Sequence, residues 1–218
     1  VSTLEDDLAR ARELDVEELA DAIDSIGFEC TRCGACCTRE DGDPHTATVF
    51  PDEVRTITGA TGHEWRDVAR PMPYGLAERA DGTLEGETFE WALETDACGD
   101  CTFYEEHDGV GACTVHDTRP LICQTYPFSV ALEGTSQPLG DAVDERGIVR
   151  AHECEGLGRD ISREDARELA RTLKERAVRE LEEAIALGER YEPTPRPGEV
   201  VVHDSEGAKD GDGRPLEQ

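Results

Sequence analysis

All nine cysteines of this 218-residue chain fall between Cys30 and Cys154. They open as Cys30-x2-Cys33-x2-Cys36-Cys37 and continue as Cys98-x2-Cys101, Cys113, Cys123 and Cys154. Cysteines two residues apart let one short turn present two thiolates to a single metal, with nearby backbone N–H groups aimed at the sulfurs. Nine is an odd number, and the acidic N-terminus (Val1 to Arg10) does not resemble a secretory signal, so metal ligation is expected over disulfides. The rest of the composition makes an organising metal necessary. Leu, Ile, Val and Phe number 16, 7, 14 and 5, or 42 large core-formers in 218 residues. With high net charge, so thin a core is a compositional sign of disorder, because burial does not offset chain entropy. Thiolate–metal bonds are expected to take over part of the core's work.

The charge excludes several classes of partner. There are 51 Asp and Glu against 22 Lys and Arg, a formal net charge of −29. Such a surface repels phosphate backbones and anionic headgroups, so neither nucleic acid nor a membrane surface is an expected partner. No apolar run approaches the eighteen or so residues of a membrane helix. The expected location is cytoplasmic. Only Lys174 and Lys209 are lysines and the carboxylates are spread along the chain, which fits a halophilic, high-salt cytoplasm where screening suppresses self-repulsion.

The predicted fold class is α+β: a small metal-stapled, cysteine-rich domain with short strands, flanked by N-terminal and C-terminal helices. Leu4, Leu8 and Ala11, then Val16, Leu19, Ala20 and Ile23, have helical spacing, with Asp15 as a second cap. This gives an N-terminal helical segment over 1–27. The cysteine-cluster domain is expected over 28–160, with helices opening at Pro51 and His63. Strands are expected after Asp81-Gly82, at Phe128–Leu132 and at Gly147–Ala151. Ser162 caps a helix whose apolar face runs from Ala166 to Ala184, placed at 161–190. The stretch 191–218, rich in Pro, Gly and carboxylates, is predicted to be a disordered acidic tail.

The cysteine run admits two metals. Cys30, Cys33 and Cys36 reproduce the three-cysteine run of ferredoxin-like clusters, whose fourth ligand comes from elsewhere. All-thiolate ligation also suits structural zinc. Eight thiolates would fill two four-cysteine sites with either. Neighbouring side chains often diverge, so Cys37 is expected to serve a second centre or to bridge two metals. His107 and His116 are expected to face solvent. Arg119 is expected either to offset thiolate charge or to make an ordinary salt bridge.

Cys30-Thr-Arg-Cys33-Gly-Ala-Cys36-Cys37, preceded by Phe28, resembles the opening motif of the CxxCxxCC cysteine-cluster family, also called YkgJ-like. Cys101-Thr-Phe103-Tyr104 is similar to its second block, together with Cys113-Thr-Val115-His116-Asp-Thr-Arg119-Pro120-Leu-Ile-Cys123-Gln-Thr-Tyr126-Pro127-Phe128. Cys154-Glu-Gly156-Leu-Gly158 resembles its closing block. The resemblance implies a zinc- or iron-chelating domain with eight metal ligands: Cys30, Cys33, Cys36, Cys37, Cys101, Cys113, Cys123 and Cys154. An iron–sulfur cluster, 4Fe–4S in kind, is the first choice of cofactor and Zn2+ the second. Cys98 falls outside the pattern and is expected to be a spare thiol, ahead of a substitute ligand for Cys101 or a redox-active free thiol. His116 stands where the family often has Tyr. The resemblance resolves no reaction, and any redox role follows from the cluster. Two alternatives remain at this point: a lysine N-methyltransferase-like activity, because some members act on flagellin, and a non-enzymatic, metal-stabilised interaction module whose protein partner is unknown. No glycine-rich nucleotide loop and no radical-type C-x3-C-x2-C motif supports the first. No acid–base pair stands out among so many carboxylates.

Overall fold

The computed structural model describes residues 3–39, 43–137 and 141–216. Residues 1–2, 40–42, 138–140 and 217–218, which belong to the expected segments 1–27, 28–160 and 191–218, lie outside the described residues. The fold is α+β. Its first elements are α1 (Leu4–Glu13), α2 (Val16–Ile26), β1 (Thr48–Val49), α3 (Pro51–Thr61) and α4 (Trp65–Val68). Seven strands follow β1: β2 (Ala69–Pro71), β3 (Ala77–Glu78), β4 (Leu84–Phe89), β5 (Trp91–Leu93), β6 (Tyr104–His107), β7 (Val110–Cys113) and, after α5 (Leu121–Thr125), β8 (Phe128–Val130). The chain ends with β9 (Asp144–Arg146), β10 (Val149–Ala151), α6 (Arg163–Arg190), β11 (Val200–Asp204) and β12 (Gly207–Asp210).

Two compact units share these elements, and they interleave in sequence instead of following the order 1–27, 28–160, 161–190. The first comprises Val1–Cys36, Glu105–Ala112 and Leu121–Ala184; the second comprises Cys37–Tyr104, Cys113–Pro120 and Ile185–Gln218. The division therefore falls at the peptide bond between Cys36 and Cys37.

In the first unit the local signals act as expected. Thr3 and Asp6 form a reciprocal capping box on α1, and the Asp15 carboxylate accepts the N–H groups of Glu17 and Glu18 at the start of α2. Ser162 Oγ accepts the N–H of Asp165 at the start of α6. Strands β8, β10 and β9 form an antiparallel sheet, with Val149 opposite Val130 and Ala151 opposite Phe128. Helix α2 packs on β9 and β10. The buried stripe of α6 is mostly alanine (Ala166, Ala170, Ala177, with Leu173 and Leu181), yet it also contains Arg176 and Glu180. The Arg176 side chain is only 2 % exposed and pairs with Glu180 at 2.8 Å. Arg176 also donates to Thr125 Oγ1 and to the carbonyls of Phe128 and Ser136. Glu180 in turn accepts the N–H of Ser136. One satisfied ion pair thus holds the end of α5 and the start of β8 against α6.

The second unit contains an antiparallel sheet ordered β1-β5-β2 and a sheet ordered β12-β11-β4-β3, in which β11 runs parallel to β4. The expected helix from His63 to Arg70 is cut short to α4, because Ala69–Pro71 pairs with β5 instead. The expected disordered stretch 191–218 instead carries β11 and β12. Val201 and Val202 are fully buried, and two buried charges beside them compensate each other. Lys209 Nζ lies 2.6 Å from Asp204 and 2.8 Å from Glu206, over the Trp65 ring at 5.2 Å. Asp204 also accepts the indole N–H of Trp91 at 2.8 Å, and Trp91 meets Trp65 edge-on. Arg55 bridges to Glu206 at 2.6 Å. A composition rich in carboxylates hides this arrangement, since its lysine and acids are interior partners.

Two predictions follow from these ion pairs. Arg176→Met leaves Glu180 buried and unpaired and should cost about 3–5 kcal/mol of stability, while the double variant with Glu180→Leu should cost less; urea unfolding followed by circular dichroism measures both. The hydrogen bond from Arg55, aided by Lys209 and opposed by partial burial, holds the Glu206 carboxyl down at about 2 from 4.5. A carboxyl lowered on folding stabilises above its unfolded value, and that contribution is lost as pH falls from about 4.5 to about 2. Glu206→Gln should flatten this acid limb, read by the fluorescence of Trp65 and Trp91, both in the second unit.

Candidate metal centre

In the first unit, two stretches far apart in sequence run side by side. Phe28 bridges Leu157, Glu29 N–H donates to the Gly156 carbonyl at 3.0 Å, and Gly158 N–H donates to the Gly27 carbonyl at 3.0 Å. This ladder sets Cys30, one residue beyond Glu29, beside Cys154, two residues before Gly156. The approach leaves no room for side chains: a Cβ on Gly156 would lie 2.3 Å from the Glu29 carbonyl oxygen, and one on Gly27 2.5 Å from that of Arg159. Phe28 anchors the ladder edge-on against the buried ring of Phe128 at 5.7 Å. Beyond Cys30, Arg32 and Gly34 take φ values of 58° and 81°, so the chain turns between Cys30 and Cys36. The Arg32 carbonyl is held by Gly111 N–H at 2.7 Å, on the β6–β7 hairpin.

Burial pushes the Cys154 thiol up from its ordinary value, the Gly156 amide opposes that, and charges on Cys36, Cys33 and Cys30 add to the rise. Those three sulfurs are therefore within electrostatic reach of Cys154. Gly156 N–H points at Cys154 Sγ from 3.4 Å. Cys30, Cys33 and Cys36 are exposed and Cys154 is half-buried.

The other candidate ligands are placed less tightly. In the second unit, Cys101 is buried and its N–H donates to the Cys37 carbonyl at 2.8 Å. Cys113 ends β7, next to Thr114, whose N–H donates to the Phe103 carbonyl at 2.9 Å. Cys123 lies half-buried in α5 of the first unit, and Tyr126, just beyond that helix, donates its hydroxyl to the carbonyl of Glu153. His107 and His116 are exposed, each beside a carboxylate, Glu105 and Asp117. Arg119 Nε donates to the His116 carbonyl at 3.0 Å. None of the nine cysteines is in a disulfide. Among the described residues no group of three or more Cys, His, Asp or Glu side chains is arranged so that it could hold a metal ion.

The donor set nevertheless suits a thiophilic metal. Cysteine sulfurs, a backbone amide aimed at one of them, and glycines where the backbone crowds the segment are the donor chemistry of zinc or of an iron–sulfur cluster. Gly156 and Phe28 orient this site without being ligands. Both lie in the motif blocks of the sequence, but no spacing rule indicated that they meet.

Fold and site together define a cysteine-rich α+β metal-binding domain. The chain belongs to the family described as "CxxCxxCC: Putative zinc- or iron-chelating domain", whose model matches residues 29–155, more than half of its length. Among curated proteins and among solved structures nothing matches the chain. Among the described residues no helix is long and apolar enough to cross a membrane.

The crowding at Gly156 can be tested directly. Gly156→Ala forces the closing segment away from Glu29 and should weaken metal retention by about 10–100-fold, as loss of an orienting contact does; competition with a chromogenic chelator measures it.

Proposed function

We propose that this protein is a thiolate metal protein in which Cys30, Cys33, Cys36 and Cys154 hold one centre, an iron–sulfur cluster in first place and Zn2+ in second. The supporting observation is the backbone ladder that sets the Cys30 segment beside Cys154, with Cys30, Cys33 and Cys36 in electrostatic reach of Cys154 and Gly156 N–H directed at its Sγ. Cys37, Cys101, Cys113 and Cys123 complete the family's set of eight. A bound cluster would supply one-electron chemistry, and bound zinc would supply a fixed scaffold. The chain's own part is to hold four sulfurs close against their repulsion. It does so through the Gly27–Glu29 and Gly156–Gly158 ladder, with Phe28 docked on Phe128.

Protein prepared without oxygen should contain iron and acid-labile sulfide and absorb in the visible. Cys33→Ser and Cys154→Ser should each lose metal and soluble fold together. Colourless protein with stoichiometric zinc would replace the cluster by a structural zinc site. Full metal retention in both variants would remove these four cysteines as a centre.

A further inference from the structure

We propose that Tyr126 is a positioning residue for Cys154: its hydroxyl, acting through the carbonyl of Glu153, fixes the direction in which Cys154 presents its sulfur. The inference rests on the thiolate-metal reading above and gives a role to a side chain that is not itself a ligand.

The carbonyl of Glu153 and the N–Cα bond of Cys154 belong to one peptide unit, which is planar. A hydrogen bond to that oxygen restrains the plane, and with it the atom from which the Cys154 side chain branches. Tyr126 Oη donates this bond at 2.5 Å. On the other side of Cys154, Leu157 N–H donates to the Cys154 carbonyl at 3.2 Å, and Gly156 N–H points at its Sγ from 3.4 Å. Those two anchors come from the turn that Cys154 itself opens. Tyr126 reaches in from a different element, 27 residues before Glu153.

The hydroxyl is carried by a well-rooted arm. Tyr126 N–H closes the last turn of α5 on the Ile122 carbonyl at 3.2 Å. The next three residues grip the strand that leads to Cys154. The Pro127 carbonyl accepts the N–H of His152 at 3.0 Å, Phe128 pairs with Ala151, and Ser129 Oγ lies 2.9 Å from His152 Nε2. Arg176 donates to Thr125 Oγ1 and to the Phe128 carbonyl, on either side of Tyr126. This scaffold is complete without the Tyr126 hydroxyl. Glu153 is exposed, so water can take the place of the hydroxyl on its carbonyl, and removing the hydroxyl strands no buried polar group. The hydroxyl therefore adds little to folding, and what it supplies is aim. Metal–thiolate bonds have a narrow range of lengths, so a misdirected Cys154 weakens the site more than it weakens the fold.

Tyr126→Phe keeps the ring and removes the hydroxyl. In anaerobically prepared full-length protein, metal retention is measured by competition with a chromogenic chelator, and hydrogen exchange over β8 and β10 is followed by mass spectrometry. The expected result is retention weakened about 10–100-fold, as when a ligand loses an orienting partner, with exchange in β8 and β10 unchanged. Retention equal to that of wild type overturns the role of Tyr126 and leaves the four-cysteine centre standing. Faster exchange in β8 and β10, or an insoluble variant, makes the hydroxyl a support of the fold and overturns the role equally. Wild type that contains no metal overturns the thiolate-metal reading itself.

Discussion

Closing the chain from Cys36 to Cys154 fixes a loop of more than a hundred residues, and the first unit is organised around that closure. The entropic cost grows only slowly with length, to about 4 kcal/mol for a loop of this size. Against it stand the bonds between Gly27–Glu29 and Gly156–Gly158, each contributing about 1 kcal/mol net, and the edge-on packing of Phe28 on Phe128. These sum to rough balance, and mutual repulsion of the sulfurs weighs on the unfavourable side. Structural zinc held by thiolates contributes about 10–16 kcal/mol at neutral pH, enough to decide the closure by itself. The protein ladder therefore supplies direction and register, and a metal bound there would supply the driving force.

The rest of the first unit shows how a chain with so few large apolar residues still makes a core. Alanines at positions 11, 20, 166, 170 and 177 let the backbones of three helices be buried without bulk. The volume that larger side chains would fill is occupied in part by Arg176 and Glu180. Because the guanidinium has a partner for each of its three nitrogens, the desolvation penalty is offset and the pair specifies one arrangement of α5, β8 and α6. Surface pairs such as Arg163 with Glu17 and Asp21 link α6 to α2, but exposed pairs of this kind add little stability.

Much of this architecture could be read from the chain. Helix starts carry their own signals, so Asp15, Pro51 and Ser162 mark α2, α3 and α6 without reference to tertiary structure. Sheet partners carry no local signal. Helix α4 ends early because β5 claims Ala69–Pro71, and β11 forms because β4 lies parallel to it. A composition average over 191–218 misses β11 and β12, since it scores Asp204 and Lys209 as solvated charges when they neutralise each other indoors. The candidate ligands were legible as motif blocks. The division at Cys36 and Cys37 was legible only as the general divergence of neighbouring side chains. The contact of Gly156 with Glu29, and the reach of Tyr126 to the carbonyl of Glu153, depend on long-range or side-chain geometry that spacing does not encode.

The electrostatics around Cys154 give this arrangement a direction. Without a cation, burial and three neighbouring sulfurs resist ionisation of Cys154, so the assembled site favours the protonated thiol. A bound cation would oppose those contributions, because burial strengthens its attraction for thiolate and its charge offsets the repulsion between sulfurs. Metal entry would for that reason be coupled to proton release. A chain with net charge −29 sharpens the coupling. Its surrounding carboxylates oppose the uncompensated thiolate cluster and attract the cation that compensates it.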